Sequence, residues 1–380
     1  MLKELINECK ITFSIKTDGP ILVKKQIDKN NLTSDEEDYL RSIFNLRPND
    51  RLPDAAFVRT LRNGKLVPYI PGSSFKGILR SHSEKIIHTL LSDGCCNPFQ
   101  MKGVKEDENI VADDLSCTGR LQILKENSPN KKLPNNPFYL SCPVCKLLGN
   151  GYLQSRLLIP DGYSDAYNNK PVIRGTQTTF LPKRDGVGID RYSGGAVSGV
   201  KFDFEVEENA VFKFEDIIIR NFDLWQLGLL AYVFQDFEDK LIKIGFGKSR
   251  GLGKVSGMVE KMDIVYYGNR KPNANKLAGI AHFIGDSEYY NDTEKAQLIR
   301  EISLPFEKQL ISNGYRHTYS FSTNSEAKAV LSSAAETFSN ENNTGYLNGS
   351  VYNVPEKMRK TFLERLKSQT ENVNAEINNG

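Results

Sequence analysis

An α+β fold is predicted, with strands and helices alternating over residues 1–267 and a polar, mostly helical stretch after them. Three observations predict it. Period-two runs at Lys10–Lys16, Val211–Arg220 and Val255–Tyr267 read as half-buried strands. Amphipathic stretches, one opening at Pro71-Gly72-Ser73-Ser74 and one covering Trp225–Phe237, read as helices. Beyond about Gly268 the composition shifts to Asn, Ser, Glu and Lys. Strand, helix, strands, helix, final strand is the order of a ferredoxin-like (RRM-type) βαββαβ core. The middle of the chain holds more strands than that core needs, so insertions add their own.

The 380 residues allow one large domain or two smaller ones, and 39% hydrophobic with 26% charged residues is ordinary for a globular protein. With a net charge of only +3, a nucleic-acid site has to come from local clustering. No apolar run approaches the roughly 18 residues of a membrane span, and MLKELINECK lacks the apolar centre of a signal peptide. A cytoplasmic protein without a membrane partner is the expectation.

Taken in order, Ile11, Phe13 and Ile15 alternate with polar residues, and Ile21–Lys24 follows the Thr17-Asp18-Gly19-Pro20 turn. Residues 26–50 read as a polar insertion, in which Ser34 and Glu37 form a capping box for a short helix through Tyr39, Leu40, Ile43 and Phe44. Asp54 follows Pro53 and precedes the apolar run Ala55–Val58, a position where a turn residue is the plain reading. The first core helix turns Phe75, Ile78, Leu79, Ile86 and Ile87 inward and sets Lys76 and Arg80 on one face. Its N-terminal amides, with Ser73 and Ser74, suit a phosphate; a simple capped amphipathic helix fits as well.

Ser155–Ile159 and Val200–Val206 are further strands, and the glycine-rich Gly186–Gly199 between strands reads as a projecting hairpin or arm. Helical patterns follow at Glu294–Ser312, Glu326–Phe338 and Pro355–Lys367, and the last dozen residues read as disordered. The resulting division is a core over 1–267, with insertions at about 26–50, 92–148 and 184–200, and an extension over 268–380.

Five of the six cysteines fall between residues 95 and 145. In a cytosolic chain this clustering points to a metal rather than to disulfides. The CPVC at Cys142–Cys145 has the spacing of a zinc knuckle, with Cys96 and Cys117 as the completing pair and Cys95, His82 or His88 in reserve. The ion would be structural.

Leu241–Val255 (LIKIGFGKSRGLGKV) interleaves Gly245, Gly247, Gly251 and Gly253 with Lys248, Arg250 and Lys254. It fits neither nucleotide loop: the first Walker A glycine position holds Ile242, and the dinucleotide fingerprint would need glycine where Arg250 stands. Glycines that let a backbone approach closely, beside cations, suit a polyanion.

PYIPGSSFKGILR, CPVCKLLG, GVGIDRYSGGA followed by FDFEVE, and GFGKSRGLGKV occur in that order. Together they resemble the RAMP superfamily of CRISPR-associated antiviral-defence proteins. More narrowly, the chain is similar to guide-RNA-binding backbone subunits of type III effector complexes, especially the III-D-like branch, over about residues 5–266. The resemblance implies an RRM-like palm repeated as a filament along guide RNA, with target RNA, other effector subunits and copies of itself as partners. Ser73, Ser74, Lys76 and Arg80 would line the guide phosphates, and Lys248, Ser249, Arg250 and Lys254 would lie under the RNA. A thumb hairpin at 184–200, with Lys183, Arg184 and Arg191, would wedge between guide and target, and the CPVC region would be the family's zinc-binding insertion.

Such subunits also cut target RNA with an aspartate ahead of the strand before PGSS. Asp54 holds that position, with Mg²⁺ or Mn²⁺ as its metal. The loop before Asp54 is longer and more acidic than the glycine-rich loop typical of the family. Other readings stay open. One is a non-catalytic backbone subunit that recruits a separate nuclease. Another is a guide-processing ribonuclease relying on His82, His88, His282 or His317. The last is a zinc-stabilised interaction module with no RNA role, which the near-neutral charge favours.

Overall fold

The structure is a computed structural model that describes residues 4–26, 33–43, 46–50, 52, 54–91, 94–99, 116–126, 128, 131–133, 136–167, 181–285, 289–290, 292–339 and 346–347. Strand β1 (Asn7–Thr17) lies at the centre of an antiparallel sheet, between β10 (Val255–Tyr267) and β9 (Val211–Arg220), with β6 (Leu157–Leu158) beyond β9. Alternation decides its two faces. Ile11, Phe13 and Ile15 are fully buried, and Phe13 packs on Phe75 of helix α2 (Gly72–Leu90) and on Phe234 and Phe237 of helix α5 (Leu224–Glu238), with centroids 4.8–5.8 Å apart. Both helices therefore cover one face. Lys10, Thr12, Ser14 and Lys16 stand on the other face. With α2 between β1 and β6 and α5 between β9 and β10, the order β10-β1-β9-β6 is that of the ferredoxin-like core.

The insertions build outward from this core. After β1, strand β2 (Lys24–Gln26) and helix α1 (Ser34–Ile43) precede β3 (Ala55–Phe57) and a small hairpin of β4 (Arg59–Arg62) and β5 (Lys65–Pro68). In α1, Glu37 pairs with Arg41 one turn on. Helices α3 (Cys117–Glu126) and α4 (Pro143–Leu148) carry cysteines. The glycine-rich stretch forms a hairpin of β7 (Lys183–Ile189) and β8 (Ala196–Glu205), whose base joins β3 at Ala55 and Phe204 to make the sheet β2-β3-β8-β7.

Among the described residues after Gly268, strands alternate with the helices. Strand β14 (Arg316–Phe321) pairs with β10, and β13 (Ile311–Asn313) pairs with β14, extending the core sheet to six strands. The helix expected over Glu294–Ser312 is a misreading: α7 (Asp292–Gln297) ends early, and Glu301–Ser303 forms β12 against β11 (Lys276–Ala278). Pro305 also interrupts the expected span, since proline removes a helix donor and disfavours helix in the residue before it, and pairing with β11 takes Glu301–Ser303 into a strand. A short α6 (Ile280–Ile284) precedes these strands, and α8 (Asn324–Phe338) covers Glu326–Phe338 as expected. Residues 355–367 and the terminal dozen lie outside the described residues.

Helix α8 packs along α5, where a Cβ on Gly228 would strike the Ala334 carbonyl. That contact explains why α5 is apolar nearly all round: the sheet takes one side and α8 the other. Trp225 stacks on Tyr346 with ring centroids 4.0 Å apart and planes within 2°.

Candidate metal centre and nucleic-acid interface

Cys96, Cys117, Cys142 and Cys145 are buried, with their sulfurs all within 4.8 Å of one another. Cys142 and Cys145 flank the first turn of α4, which turns both sulfurs to the same side, and Cys117 opens α3. Cys96 Sγ is 3.7 Å from the sulfurs of both Cys142 and Cys145. A tetrahedron of bonds of about 2.3 Å has edges of about 3.8 Å, so the four sulfurs fit a tetrahedral thiolate-bound ion. The reserves stand elsewhere: His82 bonds Asp236 at 2.5 Å, and His88 faces Cys95 at 3.2 Å. Hydrogen bonds with Cys142 and Cys145 hold Cys117 below its ordinary value, while those with Cys117, Cys142 and Cys96 push Cys145 up.

The second site surrounds the glycine loop. Gly245, Gly247, Gly251 and Gly253 all take positive φ, from 73° to 92°. Gly245 and Gly253 lie directly against the carbonyls of Leu22 and Ile244, leaving no room for a Cβ. Hydrogen bonds from Phe246 N to Leu22 O (2.7 Å) and from Gly253 N to Pro20 O (2.8 Å) fasten the loop to the chain after β1. The close approach these glycines permit is thus to the protein's own backbone. What the loop presents outward is the short turn Lys248–Arg250, with all three residues exposed. Arg250 lies over the rings of Phe246 (5.0 Å) and Phe202 (5.6 Å), and Lys24 also lies over Phe246, at 5.0 Å. Burial, then the charge of Lys85 on α2, holds the Lys248 ammonium below its usual value.

The β7–β8 hairpin starts from this cluster, because Phe202 sits in β8. Asp54 is there too: its backbone N–H donates to Asp203 O and its Oδ2 accepts from Asp203 N, both at 3.1 Å. The hairpin tip is a turn whose Asp190 carboxylate accepts from Tyr192 N, Ser193 N and Ser193 Oγ. Those bonds, Ser193 Oγ first, hold the Asp190 carboxyl below its ordinary value. Tyr192 at the tip is fully exposed beside the exposed Arg191.

The family model of the RAMP superfamily matches residues 14–256, from β1 through both core helices, the cysteine centre and the glycine loop. The chain belongs to the RAMP superfamily. A search of curated proteins finds no match. Membership gives this RAMP protein a CRISPR-associated, RNA-binding role, with RNA and CRISPR complex components as its partners. No helix among the described residues is long and apolar enough to cross a membrane.

The residues singled out from the RAMP-like motifs fall into groups. Lys248, Ser249 and Arg250 face outward together, whereas Lys254 is bound at 3.0 Å to Asp18, which also holds Lys240. At α2, Ser73 and Ser74 are exposed, but the first amide of the helix, Gly72 N, donates to Asp161 Oδ1 at 2.8 Å. Gly72 is needed for packing, since a Cβ would strike the carbonyls of Ile159 and Pro160. Lys76 is half-buried, its ammonium lowered by burial and by Arg80. Arg80 turns toward the metal centre, donating to Gly149 O at 2.6 Å and lying 3.8 Å from Cys145 Sγ and from Glu84. On the hairpin, Lys183 sits opposite Glu205 and Arg184 pairs with Glu208 at 2.6 Å.

Sequence reasoning missed Lys24, Lys85, Phe202 and Phe246. Only the FDFEVE and GFGKS motifs marked the two phenylalanines; the two lysines carried no signal, because they join the cluster through tertiary contacts.

Proposed function

We propose that this RAMP protein is a guide-RNA-binding backbone subunit of a type III (III-D-like) effector complex in the cytoplasm. It would bind along the spacer of the guide, hold complementary target RNA, and associate with copies of itself and other effector subunits. One observation carries the reading: exposed Lys248 and Arg250 lie at the root of a projecting hairpin, with Arg250 over Phe202 and Phe246. Cations beside ring faces are the chemistry of single-stranded RNA binding, phosphates to the charges and bases to the rings. Tyr192 and Arg191 at the hairpin tip suit a wedge between guide and target. Zinc is the ion proposed for the Cys96, Cys117, Cys142 and Cys145 centre, in a structural role, with Arg80 supporting the Cys145 thiolate.

The test is salt-dependent binding of single-stranded RNA by the full chain. Changing both Lys248 and Arg250 to Ala removes two phosphate contacts and should lower the salt slope by about 1.4, at roughly 0.7 per contact. An unchanged slope and affinity would sink this assignment.

Asp54 next to the hairpin is the proposed cutting residue for target RNA, where a bound Mg²⁺ or Mn²⁺ would stabilise charge developing on the phosphate. A non-catalytic subunit is the competing reading, favoured by the bond from Asp203 N to Asp54 Oδ2, which gives Asp54 work in joining β3 to β8. Asp54→Asn keeps that acceptor and removes the charge. Assembled complexes carrying it should bind target RNA and leave it intact; cutting at the normal rate would establish the non-catalytic reading.

A further inference from the structure

The open face of the core sheet carries a second cationic and aromatic site, far from the glycine loop. It lies at the other end of β1, where a shallow groove open to solvent is lined by Lys10, Arg220, Arg270 and Arg316, with Tyr267 and Tyr315. Two carboxylates, Glu4 and Glu8, also line it, so cations outnumber anions four to two.

The carboxylates orient the guanidinium groups. Glu8 is buried and accepts from Arg220 Nε at 2.7 Å, while Glu4 accepts from Arg270 Nη2 at 2.5 Å. Tyr267 and Tyr315 rings are 6.0 Å apart and inclined by 35°, and Arg316 lies over the Tyr315 ring at 5.4 Å. Tyr315 is 60% exposed, so one ring face is offered to solvent. Register makes this arrangement rigid, because Tyr267 of β10 is the direct partner of Arg316 of β14.

We infer that this is a second site for single-stranded RNA, taking a base on the tyrosines and its phosphates on Arg270, Arg316 and Lys10. The groove is open along its length, and ring faces beside guanidinium groups serve a base and its phosphate together. An acidic peptide would use the cations and leave the tyrosine pair without purpose. Glu8 and Thr17, at the glycine-loop end, are nine steps apart along β1, about 30 Å at roughly 3.4 Å per step, so one short RNA segment cannot be held at both. Arg220 lies within the residues the family model matches, whereas Tyr267, Arg270, Tyr315 and Arg316 lie beyond them. It rests on the RNA-binding reading only in the choice of ligand.

The test uses the full chain and a 4-thiouridine-containing oligouridine, cross-linked by light and mapped by mass spectrometry. Cross-links are expected in two separate peptides, one holding Lys248–Arg250 and one holding Tyr315. Changing Tyr315 and Arg316 both to Ala should abolish the second cross-link and weaken binding by about fivefold or more, the equivalent of one base stack. Tyr315→Phe with Arg316→Lys keeps ring and charge and should retain both. The Lys248 and Arg250 variant should keep the Tyr315 cross-link. If it alters nothing while the Tyr315 and Arg316 variant loses binding, the glycine-loop reading fails and this one stands. Unchanged affinity and cross-links in the Tyr315 and Arg316 variant would overturn the inference. So would a polyglutamate peptide that binds the wild-type chain, fails to bind that variant, and finds no RNA cross-link beside it.

Discussion

Asp223 shows how one buried side chain sets a pH dependence. It caps the N-terminus of α5 in a capping box with Gln226, accepts from the Tyr290 hydroxyl at 2.9 Å and from Ala281 N at 3.1 Å, and faces Arg156 at 3.8 Å. Burial outweighs these partners and pushes its carboxyl up to about 6. An unfolded aspartate titrates near 3.9, so between about pH 4 and 6 the folded chain holds the proton more tightly than the unfolded chain. Stability from this group is therefore greatest below about pH 4 and falls as pH rises to about 6, by roughly 3 kcal/mol for a shift of about two units. Asp223→Asn keeps a capping oxygen and cannot titrate. The stability of wild type relative to Asp223→Asn should drop by about 3 kcal/mol between pH 4 and 7 in urea unfolding; a pH-independent difference would refute the account.

The cysteines give a second prediction at the same scale. Purified protein should carry one zinc per chain by elemental analysis, and Cys96→Ser should lose it with several kcal/mol of stability, because four-thiolate sites couple ion binding to folding. The grouping of these four cysteines was legible because cysteine spacing carries its chemistry in the residue type. The orientation of Arg80 was not, since its partners Cys145 and Gly149 are more than sixty positions away in sequence and only the fold brings them to α2.

Among the elements, the glycine loop separates two physical reasons for glycine. Gly251 has φ +83° with open space around its Cβ position, whereas Gly253 has φ +92° and the Ile244 carbonyl in the way. Gly251→Ala should cost about 1–2 kcal/mol, the penalty for a left-handed residue. Gly253→Ala adds a backbone collision and should cost a further 1–3 kcal/mol or so, as overpacking does. Thermal unfolding of both variants checks the ranking, and equal losses would contradict it. Strands β9 and β10 match the sequence reading at both ends, since long alternating runs bounded by turns leave little freedom. The strand expected at Ser155–Ile159 shrinks to Leu157–Leu158, because it pairs on one side only, at the edge of the sheet. Beyond Gly268 the short strands escaped detection, as three-residue runs such as Glu301–Ser303 carry too few positions to show a period.

At the scale of the whole molecule, the order of the core was readable and its completion was not. The ferredoxin-like core leaves two surfaces to cover: the free edge of β10, and the side of α5 that faces away from the sheet. Strand β14 takes the first and α8 takes the second. The buried Lys146–Glu294 pair, joined by Tyr346, then ties the helix of the cysteine knuckle to the same C-terminal chain. A chain ending at Gly268 would expose Trp225 and lose Val330, Leu331, Phe338 and Tyr346, all buried in the full protein. At about 1.5–3 kcal/mol for each large apolar side chain, that loss is comparable to the roughly 5–15 kcal/mol that holds a whole domain folded. The 1–268 fragment should therefore lose its near-ultraviolet circular dichroism, bind a hydrophobic dye and show no cooperative melt. The opposite result, a fragment melting cooperatively within about 5 °C of the full chain, a shift worth only about 1–2 kcal/mol, would mean that residues 1–267 fold alone and that the extension is a separate body.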